Sequence, residues 1–216
     1  MESVGNLLGE WNTDRSVHGI VVQRPLPSPL SVNDVIRLVL PKKDVDGLHP
    51  ENIGLLAMDV PRFIPPTPVG ILELLQYYGI ASEGKRIVIV GRSMLVGKPL
   101  ALLLLRKTVG GNSTVTVCHR ETPRLSEITR TADILIAAAG SPKLITPAYV
   151  RPGAVVVDVG LTRTAEGWQG DVDAEQVTSV ASAISPVPGG VGPLTVTMLF
   201  RNVIQAAEQS TDYSLR

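Results

Sequence analysis

The segment Arg86-Ile87-Val88-Ile89-Val90-Gly91-Arg92-Ser93-Met94-Leu95-Val96-Gly97-Lys98 runs from an apolar, β-branched stretch through a glycine-bracketed loop into a second apolar run, Pro99–Leu105. Residues 86–90 predict a strand apolar on both faces, as in a buried parallel sheet. A glycine closing such a strand lets the chain turn sharply, and the second glycine admits close approach of a ligand phosphate or of the following helix. The helix N-terminus then offers free N–H groups and partial positive charge to an anion. The spacing departs from G-x-G-x-x-G, so these residues suit either a dinucleotide loop or a strand–turn–helix whose glycines only pack.

Outward from this segment, strands and helices alternate. Ser113–Cys118, Asp133–Ala137, Ala154–Val159 and Ser182–Ser185 predict four further strands, with helices at Pro99–Lys107, Arg124–Thr131 and Ala174–Ser179. The alternation points to an α/β fold, a Rossmann-like doubly wound parallel sheet. Thr67-Pro68 opens a flanking helix that Gly79 closes. Val196, Leu199, Phe200, Val203, Ile204 and Ala207 share one face of a helix predicted from Thr195 to about Glu208, and residues 209–216 read as a frayed tail. The first 66 residues hold a helix-like opening, a strand at Val17–Val22, a Pro-rich turn, a helix at Val32–Leu38 and then loops, which is less than a self-sufficient domain. The expected division is residues 68–193 as a dinucleotide-binding domain, and 1–67 as a smaller α/β domain to which 194–216 returns.

Composition narrows the partners. Twenty basic residues balance twenty acidic ones in the 216, so charge alone invites neither nucleic acid nor a membrane surface. The longest apolar stretch, Pro99–Leu105, is too short to span a bilayer, and Met1-Glu2-Ser3 opens no signal-peptide pattern. A lone cysteine, Cys118, allows no internal disulfide and fits a reducing, cytoplasmic setting.

Four groups of residues carry candidate chemistry. The second strand ends in His119-Arg120-Glu121; Arg120 and Arg92 suit the extra phosphate of NADP, while Glu121 suits a ribose hydroxyl, and both arginines also fit a solvated surface. Cys118 and His119 point to opposite faces of a strand and cannot act as nucleophile and base together. Asp44 and Asp46, in Lys43-Asp44-Val45-Asp46-Gly47, lack the further ligands a metal would need and fit a turn. Finally, Pro186-Val187-Pro188-Gly189-Gly190-Val191-Gly192-Pro193-Leu194-Thr195 is a sharply shaped loop at the carboxyl edge of the sheet, where ligands gather, or a connector.

Together with Val17–Pro27, which contains Val22-Gln23-Arg24-Pro25-Leu26-Pro27, and with Pro65-Pro66-Thr67-Pro68-Val69-Gly70, these segments resemble the bifunctional methylenetetrahydrofolate dehydrogenase/cyclohydrolases from about Val17 to Ala207. Arg24 and Pro66 depart from it, where the family more often has Leu and Cys. The resemblance implies a two-domain subunit with a substrate cleft, a homodimer, and NADP as cofactor. It implies oxidation of 5,10-methylenetetrahydrofolate to the methenyl form and hydrolysis of that product to 10-formyltetrahydrofolate, within one-carbon metabolism and purine biosynthesis. Gly91, Arg92, Ser93, Arg120 and Leu161 would hold the dinucleotide. Gln23 and Asp44 would serve catalysis, Gln23 tuning the base and Asp44 holding the pterin. Val22, Gln23, Arg24, Asp44 and the run Pro188, Gly189, Gly190, Val191, Gly192, Pro193, Leu194, Thr195 and Val196 would line the folate. The family's proton-handling lysine lies in a Tyr-x-x-x-Lys motif upstream of the Val-Gln segment, and no tyrosine here has a lysine four residues on. The resulting expectation is a chain lacking the first part of the N-terminal domain, with cyclohydrolase activity absent or severely weakened. A non-catalytic nucleotide- or folate-binding relative, and a different dehydrogenase sharing only the cofactor half, are the alternatives.

Overall fold

The computed structural model describes residues 2–212. They form two compact units, one holding the chain up to Pro66 together with the segment from Val196, the other Thr67–Thr195.

In the first unit, helix α1 (Glu2–Thr13) is followed by extended chain, then α2 (Val32–Ile36) and α3 (Pro50–Ala57). Leu8 of α1 and Val35 of α2 are buried with Ile20 and Val39 in one apolar cluster. The ammonium of Lys43 reaches the carbonyls of Trp11 (2.6 Å) and Asp14 (2.7 Å) at the end of α1, where the helix leaves acceptors unpaired. Val17–Val22, expected as a strand, forms a single bridge, Ile20 to Asp44. A strand needs a ladder of neighbours, and here one rung exists. Helix α3 was not anticipated; Pro50 occupies its first turn and the His49 ring accepts from the Glu51 N–H, so the start is capped after all. A second cluster gathers Val45, Phe63 and Ala206. There Asn202 donates to the carbonyls of Val45 (2.8 Å) and Ile64 (2.9 Å), satisfying backbone that burial has cut off from water.

In chain order, the second unit contains α4 (Pro66–Tyr77), β1 (Arg86–Val90), α5 (Gly97–Leu105), β2 (Thr114–Cys118), α6 (Leu125–Thr129), β3 (Ile134–Ala137), β4 (Val155–Asp158), β5 (Thr162–Thr164), β6 (Gly167–Gln169), α7 (Ala174–Val177), β7 (Ala183–Ile184) and the start of α8 (Val191–Asp212), whose residues from Val196 belong to the first unit. Its main sheet is wholly parallel, in the order β2-β1-β3-β4-β7. This is the Rossmann-like doubly wound sheet that the alternation predicts. Side chains of successive residues go to opposite faces: Val88 and Val90 join Leu135 and Val156 in one cluster, while Ile87 and Ile89 join Leu100, Leu104 and Ile71 in the other. Shortening Ile89, fully buried, to Ala is expected to cost roughly 2–5 kcal/mol. Strand β2 lies at the sheet edge, which explains why only Cys118 of its residues is fully buried.

Two further departures from expectation have simple causes. The β5–β6 hairpin passed unread because its strands have three residues each. Helix α8 begins at Val191, not Thr195, and continues to Asp212. Pro193 falls within the first turn, where its missing N–H has no helical partner to lose, so the Gly-Pro pair starts the helix instead of delaying it. Residues 209–212, expected to fray, are helical, and 213–216 lie outside the described residues.

Candidate active site

The strand order reverses between β1 and β3, because the chain leaves β1 toward β2 on one side and returns to β3 on the other. In open α/β sheets such a reversal opens a crevice at the carboxyl ends of the strands. Gly91 stands at that point. Its N–H donates to the Cys118 carbonyl (2.8 Å), and the Ala138 N–H donates to the Val90 carbonyl (2.8 Å), so the loops after β1, β2 and β3 start from one tied rung. Gly91 has φ 137°, and a Cβ placed on it would lie 2.0 Å from the Ala138 carbonyl oxygen. A Cβ on Gly97 would lie 2.0 Å from the carbonyl oxygen of Gly91. Both glycines are therefore required by backbone packing itself, and the loop between them is thrown outward, with Arg92, Ser93, Met94 and Leu95 exposed. Ser93 shapes the turn, its hydroxyl accepting from the Val96 N–H (3.2 Å) and its carbonyl from the Lys98 N–H (3.1 Å).

Register places the two candidate arginines together. Val90 pairs with Cys118, and Arg92 and Arg120 each lie two residues further on, in the loops that leave these neighbouring strands. Both are exposed; the Arg120 guanidinium contacts Glu121 at 2.9 Å, an exposed pair that water screens. Planar guanidiniums on two loops at the same edge of the sheet suit a dinucleotide carrying an additional phosphate. Burial raises the Cys118 thiol pKa, and the side chain belongs to the core.

Behind the loops after β3 and β4 lie two buried carboxylates that the sequence reading did not single out. Asp158, the last residue of β4, accepts from the N–H groups of Gly160 (2.9 Å), Asp171 (2.9 Å) and Val172 (3.0 Å). Asp171 accepts from Ala139 (2.6 Å), Gly140 (2.8 Å) and Ser141 (2.8 Å). Burial, with the nearby Asp171 charge adding to it, outweighs these donors and pushes Asp158 up to about 6. Because the folded form holds that proton more tightly than the unfolded chain, stability from this group is present below about pH 4 and is lost as pH rises to about 6. The difference is about 3 kcal/mol. Unfolding free energies measured from pH 4 to 7 should therefore fall more for the wild type than for Asp158→Asn, and parallel curves would refute the assignment. Leu161, just beyond, is exposed.

In the first unit, Val22 is half-buried against the α1 cluster, and Gln23 and Arg24 are exposed. Asp44 is buried, and its Oδ2 accepts from the His49 N–H (2.7 Å) and the Asn52 amide (2.8 Å). Burial raises its pKa, with these bonds pulling the other way. Asp46, two residues on, is only half-buried; burial raises its pKa, the Arg24 guanidinium lowers it, and Asp44 raises it further. Of the C-terminal run, Pro188 and Gly189 remain loop, Gly189 at φ 102°, while Val191 to Val196 are helix. Thr195 donates to Thr67 (3.1 Å), and Leu194 lies against Gly70, where a Cβ would come within 3.1 Å.

Comparison with known proteins decides what this arrangement belongs to. The family model for the tetrahydrofolate dehydrogenase/cyclohydrolase NAD(P)-binding domain matches residues 65–211, and that for the catalytic domain of the same family matches residues 1–46. The bifunctional protein FolD of Desulfovibrio desulfuricans is 50% identical over 206 residues, spanning 95% of this chain and 72% of that protein. The chain belongs to the tetrahydrofolate dehydrogenase/cyclohydrolase family. Solved structures agree. The FolD enzyme of Campylobacter jejuni superposes with a TM-score of 0.91 at 44% identity, covering 96% of this chain and 73% of that one. The Trypanosoma brucei enzyme, complexed with NADP cofactor and inhibitor, gives 0.89 at 36% identity, covering 97% and 73%. Within the family's NAD(P)-binding match fall the glycine loop, Arg120, Leu161 and the Asp158–Asp171 pair; Gln23, Arg24, Asp44 and Asp46 fall within the catalytic-domain match.

Among the described residues no group of His, Cys, Asp or Glu is arranged to hold a metal, and no helix is long and apolar enough to cross a membrane.

Proposed function

We propose that this chain oxidises 5,10-methylenetetrahydrofolate with NADP and carries out the family's second step, hydrolysis of the methenyl product to 10-formyltetrahydrofolate, only weakly, since none of its tyrosines is followed four residues on by the family's lysine. The observation that carries the reading is the glycine loop, Gly91 to Gly97, at the reversal of strand order in a domain matching the family's NAD(P)-binding model. NADP, when bound, accepts the hydride. Gly91 and Gly97 let the loop pack against the backbone of Ala138 and of Gly91 itself, and the start of α5 lends partial positive charge to the dinucleotide's phosphates. Arg92 and Arg120 supply the fork-shaped donors that suit the phosphate distinguishing NADP from NAD. Leu161 gives exposed apolar surface beyond β4.

On the folate side, a carbon between two nitrogens gives up hydride readily, since the lone pairs stabilise the cation that develops, and the protein's task is alignment. Gln23 offers an amide donor and acceptor, and Val22 beside it offers half-buried apolar surface. The carboxylate that holds the pterin N–H groups we assign to Asp46, with Asp44 holding the turn that presents it. Asp44 already spends an oxygen on His49 and Asn52, whereas Asp46 stays half-exposed next to Arg24. The chain further acts as a cytoplasmic homodimer, for which sedimentation equilibrium with a mass near 46 kDa, about twice the 23.0 kDa chain, is the check.

The decisive experiment follows reduced nicotinamide as methylenetetrahydrofolate is added to the purified chain with NADP. Substrate-dependent reduction is the expected result; a chain that binds neither NADP nor tetrahydrofolate overturns the reading. Arg92→Ala should weaken NADP by about tenfold more than NAD, as expected for loss of a charge-assisted bond to a phosphate. Equal losses for the two cofactors would show that Arg92 does not read that phosphate.

A further inference from the structure

We propose that Asp171 is a positioning residue for the cofactor crevice: its carboxylate fixes the loop 139–141 after β3, one lip of the crevice, and Asp158 holds Asp171 in place. The inference rests on the NADP reading above and deepens it.

The geometry is specific. Three consecutive N–H groups, those of Ala139, Gly140 and Ser141, converge on the two oxygens of one fully buried carboxylate, at 2.6, 2.8 and 2.8 Å. Successive N–H groups turned to one point form the kind of concavity that elsewhere receives an external anion. Here the chain fills it with its own aspartate. The filled loop begins at Ala138, whose carbonyl is the atom packed against Gly91, so its position bears directly on the glycine loop facing it across the reversal point. Asp158 repeats the device one strand further on, taking the N–H of Asp171 itself together with those of Val172 and Gly160, the residue before Leu161.

The glycines around the pair are fitted to it. A Cβ on Gly160 would lie 2.3 Å from the Asp171 carboxyl carbon, and one on Gly170 would lie 1.9 Å from an Asp158 oxygen. Neither glycine has the positive φ that demands glycine for conformational reasons. Space for the two carboxylates is what they provide. Two like charges buried together are expensive to keep, and six backbone N–H donors spent on them would be excessive for holding a surface hairpin alone. They are suited to fixing loops where a displacement of an ångström matters, as it does when a nicotinamide must meet a substrate carbon.

The test is NADP binding by titration calorimetry on the full chain and four variants, Asp171→Ala, Asp171→Asn, Gly160→Ala and the double variant Gly160→Ala with Asp171→Ala. Asp171→Ala should weaken NADP by about ten- to a hundredfold, and Asp171→Asn, which keeps one acceptor oxygen, by less. Gly160→Ala leaves Asp171 intact yet displaces its carboxyl group, and should reproduce the Asp171→Ala loss. The double variant should be no worse than either, and tetrahydrofolate affinity should stay within about twofold of wild type. Folded variants that bind NADP as the wild type does, or that lose NADP and tetrahydrofolate alike, overturn the inference. Should the variants not fold, hydrogen exchange on the wild type decides: NADP should slow the amides of residues 139–141, and unchanged rates would overturn it. A wild type that fails to bind NADP at all defeats the functional reading instead, so the two failures are told apart.

Discussion

Gly91→Ala is expected to abolish measurable NADP binding and to lower the thermal midpoint of the chain, although it adds one methyl group. At φ 137° a side chain is strained on its own account, by about 1–3 kcal/mol. The larger effect is spatial. The new Cβ would sit 2.0 Å from the Ala138 carbonyl oxygen and 2.6 Å from its carbonyl carbon, and that backbone is tied to Val90 by the Ala138 N–H. No flexible side chain is there to give way, so β1 and the loop after β3 must separate at the place where the dinucleotide enters. Gly97→Ala should act similarly by pressing on Gly91. Gly54→Ala is the control. It lies within α3 with nothing inside 4 Å of its Cβ, and should stabilise by about 0.5–1 kcal/mol as helical Gly-to-Ala changes do. Calorimetric melting and NADP titration on the three variants give the comparison, and a Gly91→Ala chain that binds NADP normally would show that the loop is not the cofactor's seat.

The same contrast shows what could be read from the sequence. Residues 86–90, 134–137 and 155–158 announce themselves because a strand buried on both faces tolerates little but aliphatic side chains, and the glycine at 91 marks where that run must bend. The doubly wound sheet follows from their alternation with helices. Less was legible where structure depends on a distant partner. Val17–Val22 has strand-like residues but only one rung of pairing, and Pro193 looks like an obstacle until the helix start is placed before it. Asp158 and Asp171 are thirteen residues apart and look like ordinary turn residues; only the β5–β6 hairpin between them brings each to the other's backbone. The one available hint was an aspartate closing an otherwise apolar strand, Val155-Val156-Val157-Asp158, where burial would make a charge costly without donors.

Asp44 and Asp46 carry the second large effect, and their spacing conceals opposite roles. Asp44→Asn puts an amide donor into a site built from donors, the His49 N–H at 2.7 Å and the Asn52 amide at 2.8 Å. Asn52 also donates to the Pro41 carbonyl (2.9 Å) and accepts from Arg62 (3.1 Å), so the disturbance reaches α3 and the turn before it. With buried groups left unpaired, a loss of about 1–3 kcal/mol in unfolding free energy is expected, with folate affinity falling only as the turn loosens. Asp46→Asn should do the reverse. It removes a charge that burial and Asp44 disfavour, leaving the melting temperature unchanged or slightly raised, while tetrahydrofolate binding falls by about tenfold or more through loss of a charged acceptor for the pterin N–H groups. NADP binding should be untouched by either change. Denaturant unfolding and tetrahydrofolate titration on both variants separate the two residues. If Asp46→Asn binds folate as the wild type does while a well-folded Asp44→Asn does not, the pterin carboxylate is Asp44 and the assignment made from hydrogen bonding falls.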